Sequence, residues 1–233
     1  MNRIYVFHEV KYLEIFISHL NFIKRKFNFS TLDDVLKNND KKNNLCHITF
    51  DDGDISFNKV SEYLEKEKIH STLFVSPKII SERKNYWFQD IENFIKKKIN
   101  LVVELNNFYS VDIKDGSFIF PYLKTLKFYE IENFKNFIKN KHKIRDEYKN
   151  ISLNNLRDIS RSKFIKIGSH TLNHPILSNE TQENSHKEIR ESKLNLEQLL
   201  DCEINSFAYP NGLYEVDFGS REVEYIKKIY KTA

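Results

Sequence analysis

Five short apolar runs, at residues 4–7, 46–50, 71–75, 164–168 and 205–209, each end near polar, glycine or proline punctuation, and amphipathic stretches separate them for much of the chain. That alternation is the pattern of βα units around a parallel sheet: a strand buried on both faces reads as an apolar run, and its crossover helix carries one apolar stripe. The expected class is α/β. Helices are expected at residues 12–26, 56–67, 87–98, 123–139, 153–161, 181–200 and 217–230. The clearest is 181–200, where Ile189, Leu194, Leu196, Leu199 and Leu200 stand among charged residues, so that one face can pack on a sheet. At 233 residues with 40% hydrophobic and 14% aromatic side chains, the chain can bury a substantial core, and its length fits one domain, residues 1–233.

From about residue 100 to 162 the alternation breaks. Apolar stretches at 101–105, 108–113 and 117–120 around the turn Lys114-Asp115-Gly116 suggest a hairpin inside an inserted segment. Its aromatic and lysine-rich helices are expected to enlarge the core rather than cap a site.

Charge and cysteine usage narrow the function classes. Lys+Arg of 37 against Asp+Glu of 33 gives a net charge of +4, and the basic residues are scattered, so nucleic acid is not an expected partner. Clusters such as Lys96-Lys97-Lys98 read as solvated helix faces. Cys46 and Cys202 form no Cys-x-x-Cys clamp and are expected to be buried structural thiols. No stretch approaches eighteen apolar residues, and Met1 to His8 is too short and polar for a signal peptide. The chain as given reads as cytoplasmic, with no transmembrane segment.

Two motifs lie at strand ends, where parallel α/β folds gather their ligands. Thr49-Phe50-Asp51-Asp52-Gly53 closes one strand, and its aspartates fall on opposite sides of the chain if the strand continues, or on a turn if Gly53 bends it. Alone, Asp-Asp-Gly also serves as a turn or a helix cap. His170-Thr171-Leu172-Asn173-His174-Pro175 follows another strand, and a helical turn or tight loop brings both imidazoles to one face. One carboxylate added to two imidazoles makes three protein ligands with room for water, which is the open arrangement of a hydrolytic metal; the other carboxylate remains free to take a proton.

These two segments resemble the first two signature motifs of the NodB-type polysaccharide deacetylases, carbohydrate esterase family four. Gly168-Ser169-His170 through His174-Pro175, Phe207-Ala208-Tyr209-Pro210-Asn211-Gly212 and Ser71-Thr72-Leu73-Phe74-Val75 resemble family segments in the right order, so the similarity spans about residues 45–80 and 164–212. The resemblance implies a distorted, incomplete (β/α)7-type barrel in which Asp52, His170 and His174 hold a divalent metal and Asp51 is the general base. Zinc is the default ion, with cobalt or nickel also suited to such a donor set. The implied reaction is hydrolysis of the N-acetyl, or other N-acyl, group of an amino sugar in a glycan or glycan precursor, as in surface polysaccharide biosynthesis. Metal-bound water is the implied nucleophile, and the backbone N–H of Asn211 steadies the oxyanion.

Two positions depart from the family pattern. Many members carry an arginine that orients the base where this chain has Ala208, and no histidine follows Pro210 to serve as the late general acid. The opening Tyr5-Val6-Phe7-His8-Glu9-Val10 resembles the Tyr-His-x-Val start of one branch, in which an early histidine fills the acid's place, and this makes His8 the candidate acid. The departures also motivate an alternative, a catalytically impaired deacetylase-like protein that binds carbohydrate.

Overall fold

The computed structural model describes residues 1–37 and 44–233. Four parallel strands, β1 (Arg3–Phe7), β3 (Leu45–Asp51), β4 (Ser71–Val75) and β5 (Ile165–Ser169), lie side by side in the order β1-β3-β4-β5. The two-residue β2 (Asn28–Phe29) pairs in parallel with the start of β3. Between and after the strands come α1 (Leu13–Lys24), α2 (Leu32–Lys37), α3 (Phe57–Lys66), α4 (Pro77–Ser81), α5 (Trp87–Lys96), α6 (Leu101–Tyr109), α7 (Ile119–Leu123), α8 (Phe128–His142), α9 (Leu153–Ser160), α10 (Gln182–Leu200) and α11 (Ser220–Ile226). The sheet does not close, and the whole is a distorted, incomplete (β/α) barrel.

Side-chain alternation sorts the two faces of the sheet. Cys46, Ile48 and Phe50 on β3, Leu73 and Val75 on β4, and Ile165 and Ile167 on β5 enter one buried cluster. The same cluster takes Phe16 and Leu20 from α1, Val60 and Leu64 from α3, Leu156 from α9, and Ile189 and Leu196 from α10. The other face of the sheet is more polar. There His47 is buried, its Nδ1 2.8 Å from the Ser30 carbonyl and its Nε2 2.9 Å from the Thr72 hydroxyl. Phe74 lies across Gly168, where a Cβ would come within 2.3 Å of the ring, so only glycine admits this packing. On β1, at the end of the strand order, Ile4 and Val6 stay 42% and 55% exposed.

Several elements differ from the sequence expectation. The segment expected as a hairpin is helical: Leu101 and Leu105 recur at the helical interval and are both buried, and the Asn100 side chain caps α6 by accepting from Val103 N–H at 3.3 Å. At the expected turn, Asp115 accepts from Ser117 N–H at 2.8 Å and starts a 3₁₀ turn instead. The helix expected at 123–139 begins later, as α8 at Phe128, after α7 has ended at Leu123, with Glu180 Oε1 accepting from the first N–H of α8 at 2.7 Å.

The run at 205–209 forms only isolated bridges, from Phe207 to Ser169 and from Ser206 to Thr232. Pro210 offers no N–H, and Asn211 turns the chain with φ of 62°. On α10 the buried row is Ser185, Ile189, Ser192 and Leu196, and Leu194 faces solvent. Cys46 is buried as expected, whereas Cys202 is exposed because it follows the left-handed C-cap of α10 at Asp201. Helices α5 to α8 build a second buried cluster around Trp87, Phe94, Leu105, Leu123 and Phe134, so the inserted segment does enlarge the core. It also lends Phe120 and Lys124 to the wall of the site described next.

Candidate metal centre and catalytic cavity

The strand β3 delivers Asp51 as its last residue, and the chain then turns sharply, with Asp52 and Gly53 both at φ of 71°. Gly53 is required twice over: its φ is left-handed, and an added Cβ would stand 2.9 Å from Val75 Cγ1. Holding Asp52 in that region costs about 1–2 kcal/mol, a strain characteristic of functional turns. Of the two geometries open to the sequence, the turn is the one observed.

The histidine pair leaves β5 in a tight turn rather than a helix. Its first N–H, on His170, donates to the Val75 carbonyl at 3.0 Å, and the Ser76 hydroxyl donates to the His170 carbonyl at 2.8 Å. Thr171 and His174 adopt φ of 64° and 65°, and His174 N–H donates to the Thr171 hydroxyl at 3.0 Å. The ring centroids of His170 and His174 come to 4.8 Å.

Asp52, His170 and His174 are all buried, and one donor atom from each lies within 4.8 Å of the others. His170 Nε2 and His174 Nε2 stand 3.7 Å and 3.6 Å from Asp52 Oδ1. Those separations are too long for hydrogen bonds, and Asp52 Oδ1 makes none although it is buried. His170 Nδ1 is 2.8 Å from the Ala208 carbonyl, which can only accept, so Nδ1 carries a proton there and Nε2 is the ring nitrogen that faces Asp52. Burial, reinforced by the charge of Asp51, pushes the Asp52 carboxyl up to about 7, with His8 opposing the shift. Burial and then His170 hold His174 well below the usual histidine range, hence neutral. An orphaned buried carboxylate oxygen facing two imidazole nitrogens fits a divalent cation, and the donor set suits zinc.

Asp51 lies beside this cluster. Its Oδ2 is 3.8 Å from His8 Nε2, and its Oδ1 is buried with no hydrogen-bond partner among the described residues. Asp51, His8 and Asn211 line a cavity of about 590 Å³ together with Asp52, His170, His174, Tyr209 and Phe88. A second cavity of about 730 Å³ shares His8, Asp52, Phe88 and Glu92 with it, so the two adjoin. All six residues singled out from the sequence therefore meet at one place. Where the family pattern has arginine, Ala208 contributes its carbonyl to His170, and the imidazole of His8 faces Asp51.

Residues that the motifs do not mark also build the site. Trp87 Nε1 donates to the His174 carbonyl at 3.2 Å, and the rings of Tyr86 and Phe88 lie 5.2 and 5.3 Å from His174. The signal available in the sequence was the run Tyr86-Trp87-Phe88, three aromatics in a row, which core packing alone would equally explain.

A family model described as polysaccharide deacetylase matches residues 109–226, just over half of the chain and including the histidine pair. The chain belongs to the polysaccharide deacetylase family. This confirms the NodB-type resemblance and places the protein among carbohydrate deacetylases, which are hydrolases. Among solved structures, the chain is similar to IcaB from Ammonifex degensii, at 13% identity and a TM-score of 0.61, over 97% of this chain and 79% of that one. It is also similar to the deacetylase PplD from Streptococcus pyogenes in complex with acetate, at 16% identity and a TM-score of 0.57, over 99% and 80% of the two chains. A de-N-acetylase from Aggregatibacter actinomycetemcomitans aligns over 97% of this chain and 84% of its own, at 11% identity and a TM-score of 0.56. At such identities these likenesses establish the deacetylase fold. No curated protein matches the chain in sequence. Among the described residues, no helix is long and apolar enough to cross a membrane.

Proposed function

We propose that this polysaccharide deacetylase is a metal-dependent enzyme that removes the N-acetyl, or another N-acyl, group from an amino sugar within a surface glycan or its precursor. The observation that carries the proposal is the convergence of Asp52, His170 and His174 beneath a cavity that also holds Asp51. Those three residues would hold the ion. When bound, it supplies Lewis-acid polarisation of the acyl carbonyl and acidifies water.

The side chains divide the remaining work. Asp51, with a buried and unpartnered Oδ1, takes the proton of the attacking water, and positioned general-base catalysis of this kind contributes roughly 10²–10⁴-fold. As the carbonyl oxygen gains charge, the backbone N–H of Asn211, in the left-handed turn at the cavity wall, donates to it, worth a few kcal/mol. His8 is mostly exposed, 3.8 Å from Asp51 on the same side of the cavity, and donates the proton that the departing amine needs. Acetate and a free amino sugar leave.

The test is acetate release from an N-acetylated glucosamine oligomer before and after chelation, with Zn²⁺ then restored. The proposal expects turnover to vanish and return, and turnover unchanged by metal removal contradicts it.

A further inference from the structure

Three hydrogen bonds join the turn of the two metal-site histidines to α10, and all three end on Glu188. Asn173 N–H donates to Glu188 Oε2 at 2.8 Å, Asn173 Nδ2 donates to Oε1 at 2.7 Å, and Leu172 N–H donates to the Glu188 backbone carbonyl at 3.1 Å. The ends of the turn are held by other elements, at His170 by Val75 and Ser76 and at His174 by Trp87. Its middle hangs from Glu188. Since Thr171 and His174 are non-glycine residues in left-handed backbone, the conformation persists only where its surroundings over-determine it. A bidentate carboxylate that takes both Asn173 donors supplies that constraint from a helix whose own core face, Ser185, Ile189, Ser192 and Leu196, is anchored in the fold.

We infer that Glu188 is a positioning residue for the metal site: its carboxylate fixes the Leu172-Asn173 apex so that the imidazoles of His170 and His174 converge on Asp52. The inference rests on the metal-site reading of those three residues. Glu188 touches none of the donor atoms and acts only through the turn. Residues that orient metal ligands in this way usually change metal affinity by about 10–100-fold when removed.

The experiment titrates chelator-stripped protein with Zn²⁺ against a chromophoric competitor and records the visible spectrum of the Co²⁺ form, with folding checked by circular dichroism. Glu188→Ala is expected to bind about 10–100-fold more weakly than wild type and to show an altered Co²⁺ spectrum. Glu188→Gln is expected to recover to within about twofold, because its carboxamide oxygen accepts from Asn173 N–H and the Asn173 amide can turn to accept from its NH₂. A folded Glu188→Ala with wild-type affinity and spectrum overturns the inference, as does a Glu188→Gln that binds as weakly as the alanine variant. Should Glu188→Ala not fold, Asn173→Ala decides: the loss of one arm of the clamp predicts about fivefold weaker binding, and unchanged affinity overturns the role. A wild-type protein that binds no metal at all removes the metal-site reading itself, whereas tight wild-type binding with unaffected variants removes only the role of Glu188.

Discussion

His8 Nε2 stands 3.8 Å from Asp51 Oδ2, pairing the end of β1 with the end of β3, two strands that lie side by side in parallel. The contact brings together the two residues proposed as acid and base. It also places an imidazole beside Asp51 in a chain that carries Ala208 where many members of the family carry arginine.

Replacing Asp51 by asparagine keeps the shape of the turn and removes the proton acceptor. Acetate release should fall roughly 10²–10⁴-fold. Metal content, measured by atomic absorption, should stay at the wild-type level, because Asp52, His170 and His174 are untouched.

His8→Ala should lower acetate release by about 100-fold or more if the side chain supplies the leaving-group proton. Its side chain is 61% exposed, so thermal stability should barely change. Equal loss of turnover on amide and activated ester substrates would contradict the role, since an activated ester leaves without protonation.

Gly53→Ala probes the turn that carries Asp52. The left-handed φ and the 2.9 Å approach to Val75 predict destabilisation of about 2–4 kcal/mol in urea unfolding, together with weaker metal binding as Asp52 shifts.

His47 predicts a pH dependence of stability distinct from that of catalysis. Burial pulls its pKa down to about 4 from an ordinary 6.5, against the opposing hydrogen bond to the Ser30 carbonyl. Below pH 6.5 the unfolded chain therefore binds a proton that the folded chain refuses. Stability is intact above 6.5 and declines as pH falls towards 4, by about 3 kcal/mol in total from this group. Urea midpoints measured at pH 7 and pH 4.5 should differ less for His47→Gln than for wild type, and equal slopes would contradict the assignment.

What was legible in the sequence follows from how local each signal is. The strands ending at Phe7, Asp51, Val75 and Ser169 are short apolar runs, so the runs located the strands, and the Asp-Asp and His-x-x-x-His motifs at two of their ends marked Asp51, Asp52, His170 and His174, whereas His8 and Asn211 were pointed to by the family resemblance. The 101–123 stretch was misread because apolar residues near a Lys-Asp-Gly turn satisfy both a two-residue and a four-residue period, and only burial of Leu101, Leu105, Ile119 and Leu123 in one cluster decides between them. The two-residue β2 is too short to show any period. Glu188 was missed and Trp87 left unassigned because their hydrogen bonds reach residues 15 to 87 positions away, and a charged helix position or a buried aromatic looks the same with or without such a partner.

One crystallographic measurement tests the metal site most directly. A zinc-soaked crystal, with data collected on both sides of the zinc absorption edge, should show a single strong anomalous peak within ligand distance of about 2.0–2.2 Å from Asp52, His170 and His174. No peak there, or a peak elsewhere with those three side chains unliganded, would contradict it.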